Sequence, residues 1–204
     1  MYLASKSPQR KAILESLGIE FVVFKPEYSE EGRPHELPAE AVERHSRGKA
    51  FSVVHKIDEL PRDRPVLGVD TMVVFGGRTL GKASGEEEAF ELLRRMSGRT
   101  HLVYSSITLV WAGLGPGARE EQTAHAVTEV KFSHLTDHEL EAYVATGEWR
   151  DRAGAYAIQG RAAAFVHEIR GDYTNVVGLP VSVLVELLKK KGQWPPAGWL
   201  RHAG

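Results

Sequence analysis

The feature that most constrains the fold is an apolar stretch at residues 65–82 that contains two adjacent glycines. Runs rich in Val, Leu and Phe flank Gly76 and Gly77. Adjacent glycines tolerate the positive φ angles of a tight hairpin turn. The stretch therefore predicts a β-hairpin.

Asp70 lies inside the first of these apolar runs, between Val69 and Thr71. A half-buried carboxylate there needs a cation, a metal ion or hydrogen-bond donors to offset its desolvation. Lys82, at the end of the stretch, is a candidate cation. The alternative is an aspartate that bonds the local backbone at a strand kink beside Gly68, and the pattern alone favours neither interpretation.

The length of 204 residues fits one domain. We expect this domain at residues 1–191, followed by a tail at 192–204. The 26 basic and 27 acidic residues nearly cancel, so no global field attracts nucleic acid or an anionic membrane. Any anionic ligand must be held by a local cluster of charge. The absence of Cys excludes disulfides, thiolate metal sites and a cysteine nucleophile. With no apolar stretch long enough to span a bilayer, we expect a cytoplasmic protein.

The start of the chain predicts a strand at residues 2–4 followed by a helix. Ser7 is a suitable N-cap, Pro8 suits the first helical position, and Gly18 ends the helix. The free backbone N–H groups of such a helix start, with Arg10 in its first turn, can bind phosphate. Junctions of this kind are common, so the signal is weak alone.

A second helix is predicted from residue 38 to about residue 55, after a strand at 20–24 and a polar loop at 25–37. Lys49 falls at helical spacing with apolar residues. Either its stem covers the core with the ammonium in water, which is the more frequent arrangement, or the ammonium points into a cleft. Gly48 in this helix indicates the close approach of another backbone segment.

The second half of the chain predicts further helices and strands. Two capping boxes, Ser84 with Glu87 and Thr136 with Glu139, are expected to open helices. The other predicted elements are strands at 101–110, 124–132, 164–169 and 173–177, and a helix from Pro180. We expect disorder in the glycine-rich loop between the first two of these strands.

Two features near the C-terminal end leave alternatives open. The amide of Gln159 offers donors and an acceptor that suit a nucleobase edge, although they equally suit a bond to its own loop backbone. Trp194 and Trp199, between prolines and glycine, either pack back on the domain or contact a partner.

Several blocks of the sequence, taken together and in order, resemble the Maf family of nucleoside triphosphate pyrophosphatases. They are L-A-S-K-S-P-Q-R-K-A-I-L, G-V-D-T-M-V-V followed by Lys82, L-R-R-M-S-G-R-T-H, D-R-A-G-A-Y-A-I-Q-G and Y-T-N-V-V-G-L-P. The resemblance implies an α/β fold of the Maf and ITPase type, with a mixed elongated sheet, flanking helices and two lobes around a central cleft. It also implies hydrolysis of nucleotides to the monophosphate and pyrophosphate with a divalent cation, Mg²⁺ or Mn²⁺.

The resemblance also assigns roles to individual residues. It places the catalytic residues at Asp70, Lys49 and Lys82, the metal ligands at Glu30 and Asp70, and the substrate-binding residues at Ser5, Gln9, Arg10, Thr71 and Gln159. Thr71 and Gln159 resemble the branch of the family that acts on dTTP and UTP.

The chain departs from the family pattern at four places. Gln9 replaces the first of two paired arginines, and Ala83 replaces a proline. His45 and Ser46 replace Leu-Ala, and residues 161–163 replace a glycine-rich run. The missing arginine removes a bidentate phosphate partner, so either binding is weaker or another residue compensates.

The expected chemistry asks little covalent work of the protein. A metal ion and lysines would neutralise the triphosphate, and a carboxylate would position or deprotonate the attacking water. Asp70 is our candidate for that carboxylate, although Asp70 and Glu30 can exchange the roles of base and metal ligand. The binding partner we expect is a nucleoside triphosphate. Whether the chain forms a homodimer is left undecided by the sequence.

A rival hypothesis from another class is a nucleotide-binding regulator of septum formation, a role to which members of the family have been linked. Such a regulator needs no turnover. It would therefore not require the set of Asp70, Lys49 and Lys82.

Overall fold

The computed structural model describes residues 1–54, 56, 64–112, 118–196 and 199. This part of the chain forms a seven-stranded mixed sheet flanked by six α-helices, which confirms the predicted α/β fold. The strands are β1 (Tyr2–Ala4), β2 (Val22–Phe24), β3 (Val66–Phe75), β4 (Arg78–Leu80), β5 (Thr100–Ala112), β6 (Arg119–Phe132) and β7 (Val166–Arg170). The helices are α1 (Pro8–Ser16), α2 (Pro38–Val54), α3 (Glu86–Met96), α4 (Asp137–Val144), α5 (Tyr173–Val177) and α6 (Val181–Lys190), with a 3₁₀ helix at Arg161–Phe165.

The central strand of the sheet is β3. The strand order is β2-β1-β3-β5-β6-β7, with β4 paired to β3. Strand β1 runs parallel to β2 and to β3, and the remaining pairs are antiparallel. The β3–β4 hairpin turns at Gly76 and Gly77, whose φ angles are +57° and +74°, as the sequence predicts.

Strand β3 pairs with β5 without interruption from Val66 to Val74, through both Gly68 and Asp70. There is thus no kink beside Gly68. The interpretation of Asp70 as an aspartate that bonds backbone at such a kink is wrong.

Helices cover both faces of β3. On one face, Val53 of α2 lies in a buried cluster with Val66. On the other face, Leu14 of α1 and Leu184 of α6 bury Leu67. Because side chains alternate across a strand, Asp70 points to the face of α2 and Thr71 to the face of α1.

A third buried cluster lies where α3 and α4 pack on β5 and β6. Its largest fully buried members include Leu93, Phe132 and Leu140. Burying each such side chain contributes about 1.5–3 kcal/mol. This cluster also holds Tyr156 and Ile158, and it therefore supports the segment that carries Gln159.

The predicted strand at 173–177 is wrong, because these residues form helix α5. The Asp172 carboxylate accepts hydrogen bonds from the backbone N–H groups of Thr174 at 2.7 Å and Asn175 at 3.3 Å. This cap satisfies the first N–H groups of the helix. It outweighs the preference of the β-branched residues in the segment for a strand.

Two local predictions, for Ser84 and for Gly48, named the wrong neighbouring group. Ser84 pairs with Glu88, which accepts from its backbone N–H at 2.8 Å and its hydroxyl at 2.6 Å, and the N-cap of α3 is Gly85. The capping box of Thr136 and Glu139 is confirmed. Gly48 faces the ring of Tyr28 and not another backbone segment. A Cβ added at Gly48 would lie 2.1 Å from Tyr28 Cε2.

The aromatic residues after α6 pack back on the domain. Trp194 packs against the buried cluster around α1 and α6. The Trp199 indole N–H donates to the Leu17 carbonyl at 2.7 Å.

Among the described residues, none of the helices has the length and apolar character that a membrane crossing requires. The loop expected to be disordered includes residues 113–117, which lie outside the described residues.

Candidate active site

The candidate site is a cleft of about 750 Å³ that opens where β1 ends. Strand β1 pairs with β3 only as far as Gly68, so Asp70 and Thr71 lie beyond the end of β1. Ligands commonly bind at the carboxyl ends of parallel strands where the chain order changes direction. The cleft is lined by residues of 4–10, 25–30, Lys49, 70–73, Lys82, 150–159 and 176–178.

One lysine lies between two carboxylates in this cleft. The Lys49 Nζ is 2.5 Å from Asp70 Oδ1 and 2.6 Å from Glu30 Oε1. The side chains of Lys49 and Asp70 are only 10% and 4% exposed. The ammonium of Lys49 thus points into the cleft, and the interpretation that places it in bulk water is wrong.

The absence of a side chain at Gly68 allows this contact. A Cβ there would lie 2.1 Å from the Ser46 carbonyl oxygen and 2.7 Å from the Ala50 backbone nitrogen. Helix α2 therefore packs directly on the β3 backbone. Lys49, on this part of α2, consequently reaches Asp70, two residues further along β3.

The electrostatics of the site keep Glu30 ionised. Burial raises the pKa of the Glu30 carboxyl, but the ammonium of Lys49, with smaller contributions from His45 and Lys82, holds that pKa below its usual value. Glu30 therefore presents an anionic oxygen at neutral pH. Together with Asp70 it gives the cleft two carboxylates on a single ammonium.

Arg10 occupies the opposite side of the cleft floor and fixes three segments. Its Nε donates to the Gly178 carbonyl at 2.9 Å, its Nη1 to Ser5 Oγ at 3.1 Å and its Nη2 to Thr71 Oγ1 at 3.2 Å. Burial lowers the pKa of Arg10, while the charges of Asp70 and Glu30 oppose this shift. A guanidinium stays protonated in proteins, so the site keeps a cation here.

The start of α1 has the predicted cap. Ser7 Oγ accepts from the Arg10 backbone N–H at 3.5 Å and donates to Gln9 Oε1 at 2.9 Å. The Gln9 carbonyl is thus turned toward Ser7. Its NH₂ group makes no hydrogen bond in the described part of the chain, which leaves it as a donor on the cleft wall.

A buried chain of polar groups supports Thr71 from below, and the sequence patterns did not predict it. Thr71 Oγ1 lies 2.8 Å from Ser105 Oγ, which donates to the Asn175 carbonyl at 3.0 Å. The Asn175 Nδ2 donates to the Val103 carbonyl and to Thr128 Oγ1, both at 2.9 Å. The one available signal is the Asn of the Y-T-N-V-V-G-L-P block.

Lys82 and Gln159 lie on the outer wall. Lys82 does not pair with Asp70, as the sequence suggested, but lies 3.9 Å from Asp151 Oδ1 with 64% of its side chain exposed. A β-bridge to Ala153 holds its backbone. Gln159 is exposed in the cleft, and its amide makes no hydrogen bond to any described residue. The described residues thus offer no support for the interpretation that Gln159 bonds its own loop.

Four further cations line the cleft, none of which the sequence patterns predicted as binding residues: Lys6, Lys25, Arg150 and Arg152. With them, the lining residues include seven Lys and Arg against three Asp and Glu. The nearly neutral chain therefore gathers positive charge at one place. Such a cleft attracts a polyanion such as a triphosphate.

The family model described as Maf-like protein matches residues 1–191. The chain belongs to the Maf family. It is 46% identical over 188 residues to the dTTP/UTP pyrophosphatase of Moorella thermoacetica, covering 92% of this chain and 93% of that protein. It is 43% identical over 190 residues to the enzyme of the same name from Pelotomaculum thermopropionicum, covering 93% and 95%. With that of Agrobacterium fabrum it shares 41% identity over 203 residues, covering 98% and 96%.

Two departures from the Maf pattern have structural partners in this chain. Ser46 Oγ lies 3.0 Å from Ser106 Oγ and 2.9 Å from Thr108 Oγ1, so its hydroxyl is satisfied between α2 and β5. His45 Nδ1 lies 3.1 Å from the hydroxyl of Tyr28, in the loop that carries Glu30.

Proposed function

We propose that this Maf-family chain hydrolyses dTTP and UTP at the α,β-phosphoanhydride bond, which yields the monophosphate and pyrophosphate and clears these nucleotides from the pool. The observation that carries the proposal is the pair of carboxylates on Lys49 at the floor of a cationic cleft. The names of the relatives, all dTTP/UTP pyrophosphatases, support the reaction and its substrates.

The cations of the cleft bind the triphosphate in this proposal. Arg10, held by Ser5 and Thr71, presents a fixed guanidinium, and Lys82 is exposed enough to follow a flexible phosphate chain. Fixed donors and cations stabilise the charge that develops on phosphate oxygens in the transition state. Gln9 contributes a neutral donor where the Maf pattern has an arginine, and Lys6 and Arg152 supply nearby positive charge.

Asp70 is the proposed general base. Its carboxylate is nearly excluded from solvent and is held by Lys49, so it has a fixed direction toward the cleft. A carboxylate in that setting can orient a water molecule and accept its proton as the water attacks phosphorus. Lys49 keeps Glu30 ionised and holds both carboxylates in place.

A divalent cation fits the donor chemistry of the site. Asp70 and Glu30 offer hard anionic oxygens, which Mg²⁺ and Mn²⁺ prefer. The described residues contain no group of three His, Cys, Asp or Glu side chains placed to hold a metal. This suits an ion that binds one or two carboxylates and takes its other ligands from water and substrate phosphates. When bound, the ion would neutralise charge on the phosphate oxygens.

Gln159 is proposed to recognise the nucleobase. Its amide is free in the described structure and offers an acceptor for the N3–H and a donor for a carbonyl of thymine or uracil. Both pyrimidines share this pattern, so we expect weak discrimination between them. Guanine presents a different edge and more bulk, and it should be a poorer substrate.

The regulatory alternative is not favoured. A protein that only binds nucleotides gains nothing from burying the Asp70 carboxylate against the Lys49 ammonium, since burying charges costs solvation free energy. The relatives described above carry the names of enzymes.

A pyrophosphate-release assay against dTTP, UTP, CTP, ATP and GTP tests this proposal. We expect turnover of dTTP and UTP above the others. Asp70→Asn, which is nearly isosteric, should lower kcat by about 10²–10⁴-fold. Asp137→Asn, a change in the first turn of α4 outside the cleft, is the matched control and should leave kcat unchanged. Wild-type turnover by Asp70→Asn would reject the assignment of the base.

A further inference from the structure

Glu30 is delivered to the site by a segment without helix or strand. Residues 25–37 connect β2 to α2 and contain no regular element. The Glu30 side chain is 55% exposed, yet its carboxylate lies 2.6 Å from Lys49. A half-exposed ion pair does not by itself hold a loop in one conformation. Other contacts must therefore fix this loop.

The main contact is the ring of Tyr28 on the backbone of α2. An added Cβ at Gly48 would lie 2.1 Å from Tyr28 Cε2 and 2.5 Å from Cδ2. The ring therefore occupies the space that any side chain at position 48 would need. The ring of His45 packs edge-on against it, with 5.6 Å between centroids.

Hydrogen bonds fix the same ring in orientation. Arg44 Nη1 donates to the Tyr28 hydroxyl at 3.0 Å, and His45 Nδ1 lies 3.1 Å from the same oxygen. Both partners lie on α2, and Gly48 follows one turn after Arg44. Tyr28 is thus held at its face by glycine and at its hydroxyl by two side chains.

Arg44 extends this attachment to both sides of Glu30. Its Nη2 donates to the Glu31 carbonyl at 2.9 Å, and its Nε and Nη2 both donate to the Glu36 carboxylate at 2.6 Å. The side chains of Arg44 and Glu36 are 19% and 11% exposed. The loop is consequently fixed before and after Glu30 by one face of the helix that also carries Lys49.

We propose that Tyr28, seated on Gly48 and held by Arg44 and His45, is a positioning residue that sets the Glu30 carboxylate against Lys49. The inference rests on the proposed function for the role of Glu30 in turnover. His45 is one of the positions where this chain departs from the Maf pattern, and its hydrogen bond to Tyr28 is the contact that the departure makes possible.

Gly48→Ala tests the contact between Tyr28 and Gly48 directly. A methyl group at position 48 displaces the Tyr28 ring, while alanine itself suits a helix. Gly32→Ala is the matched control, since it lies in the same loop and no atom of the described residues is within 4 Å of an added Cβ. The first readout is cleavage by a Glu-specific protease after Glu30, Glu31 or Glu36, followed by mass spectrometry. We expect cleavage to be at least about fivefold faster in Gly48→Ala than in wild type and unchanged in Gly32→Ala.

The second readout is a double-mutant cycle with Glu30→Gln. Gly48→Ala should lower kcat for UTP by about tenfold while KM stays within about threefold, and it should lower kcat by less than about twofold when Glu30 is already Gln. Tyr28→Phe, which keeps the ring and loses the hydroxyl, should give a smaller loss of the same kind. Both variants should unfold at temperatures close to that of Gly32→Ala.

Equal losses of kcat with and without Glu30 would overturn the proposal, because the ring would then act on the fold and not through Glu30. Unchanged protease cleavage in Gly48→Ala would overturn it as well. If the wild-type protein hydrolyses no nucleotide, the proposed function fails, and the protease readout still decides whether Tyr28 holds the Glu30 loop.

Discussion

Replacing Lys49 by methionine isolates the electrostatic link on which the site depends. Among the described residues, the Lys49 ammonium is the one hydrogen-bond partner of the Asp70 carboxylate, at 2.5 Å. The Asp70 side chain is 4% exposed, so Lys49→Met leaves a buried carboxylate without its cation. Breaking a buried ion pair in this way costs about 3–5 kcal/mol. We expect about 3 kcal/mol here, because the open cleft admits some water.

The structure also predicts how the loss of stability in Lys49→Met compares with that in two other variants. In Asp70→Asn the ammonium keeps Glu30 at 2.6 Å, so no charge is left unpaired and the loss should be about 1 kcal/mol. Lys190→Met is the matched control, since Lys190 pairs with Glu186 at 3.0 Å on the exposed face of α6. Exposed pairs of this kind contribute about 0–1 kcal/mol.

Urea unfolding at pH 7 without nucleotide measures all three variants. In a thermal scan, the loss expected for Lys49→Met corresponds to a Tm lower by about 6–12 °C, at about 2–4 °C per kcal/mol for a chain of this size. A Lys49→Met protein as stable as Lys190→Met would show that Asp70 does not depend on Lys49, because Asp70 would then have to be well hydrated without it.

Three further outcomes are expected. Gln159→Ala should lower kcat/KM for dTTP and UTP by about tenfold and narrow their advantage over GTP, since an unpaired base edge costs about 1–3 kcal/mol; equal losses on every base would remove Gln159 from base recognition. Lys82→Ala should lower kcat/KM for UTP by about 30-fold, or about 2 kcal/mol, and an unchanged value would make it a surface lysine. Burial lowers the pKa of His101 from 6.5 to about 4. Between these two pH values the unfolded chain therefore binds a proton at His101 that the folded chain does not bind. The free energy of unfolding should therefore fall as the pH drops from 6.5 toward 4, by at most about 1.4 kcal/mol per pH unit; denaturant titrations should show a flatter dependence for His101→Gln, and an identical slope would contradict this.

Elements that depend on neighbouring residues could be predicted from the sequence. The turn at Gly76 and Gly77, the cap at Ser7 and the capping box at Thr136 each involve residues a few positions apart. Their geometry is thus fixed by local backbone chemistry. Helix α5 shows the limit, because β-branched residues and the Asp172 cap favour different structures, and only the contacts of the folded chain decide between them.

The site depended on contacts that no local pattern contains. Asp70 stood out as a carboxylate in an apolar strand, but its partner is 21 residues away in the chain. The pairing follows from the packing of α2 on Gly68, which the sequence does not display. The nearer lysine, Lys82, lies beside Asp151. The role of Tyr28 could not be predicted, because it arises from the shape of α2 at Gly48.

The cleft is proposed to cleave the α,β bond of a pyrimidine nucleoside triphosphate with Asp70 as its general base. The most direct measurement is ³¹P NMR of UTP incubated with the protein and Mg²⁺, run in parallel with Asp70→Asn. We expect resonances of UMP and pyrophosphate for the wild type and intact UTP for the variant over the same period. Formation of UDP and inorganic phosphate, or equal conversion by both proteins, would contradict it.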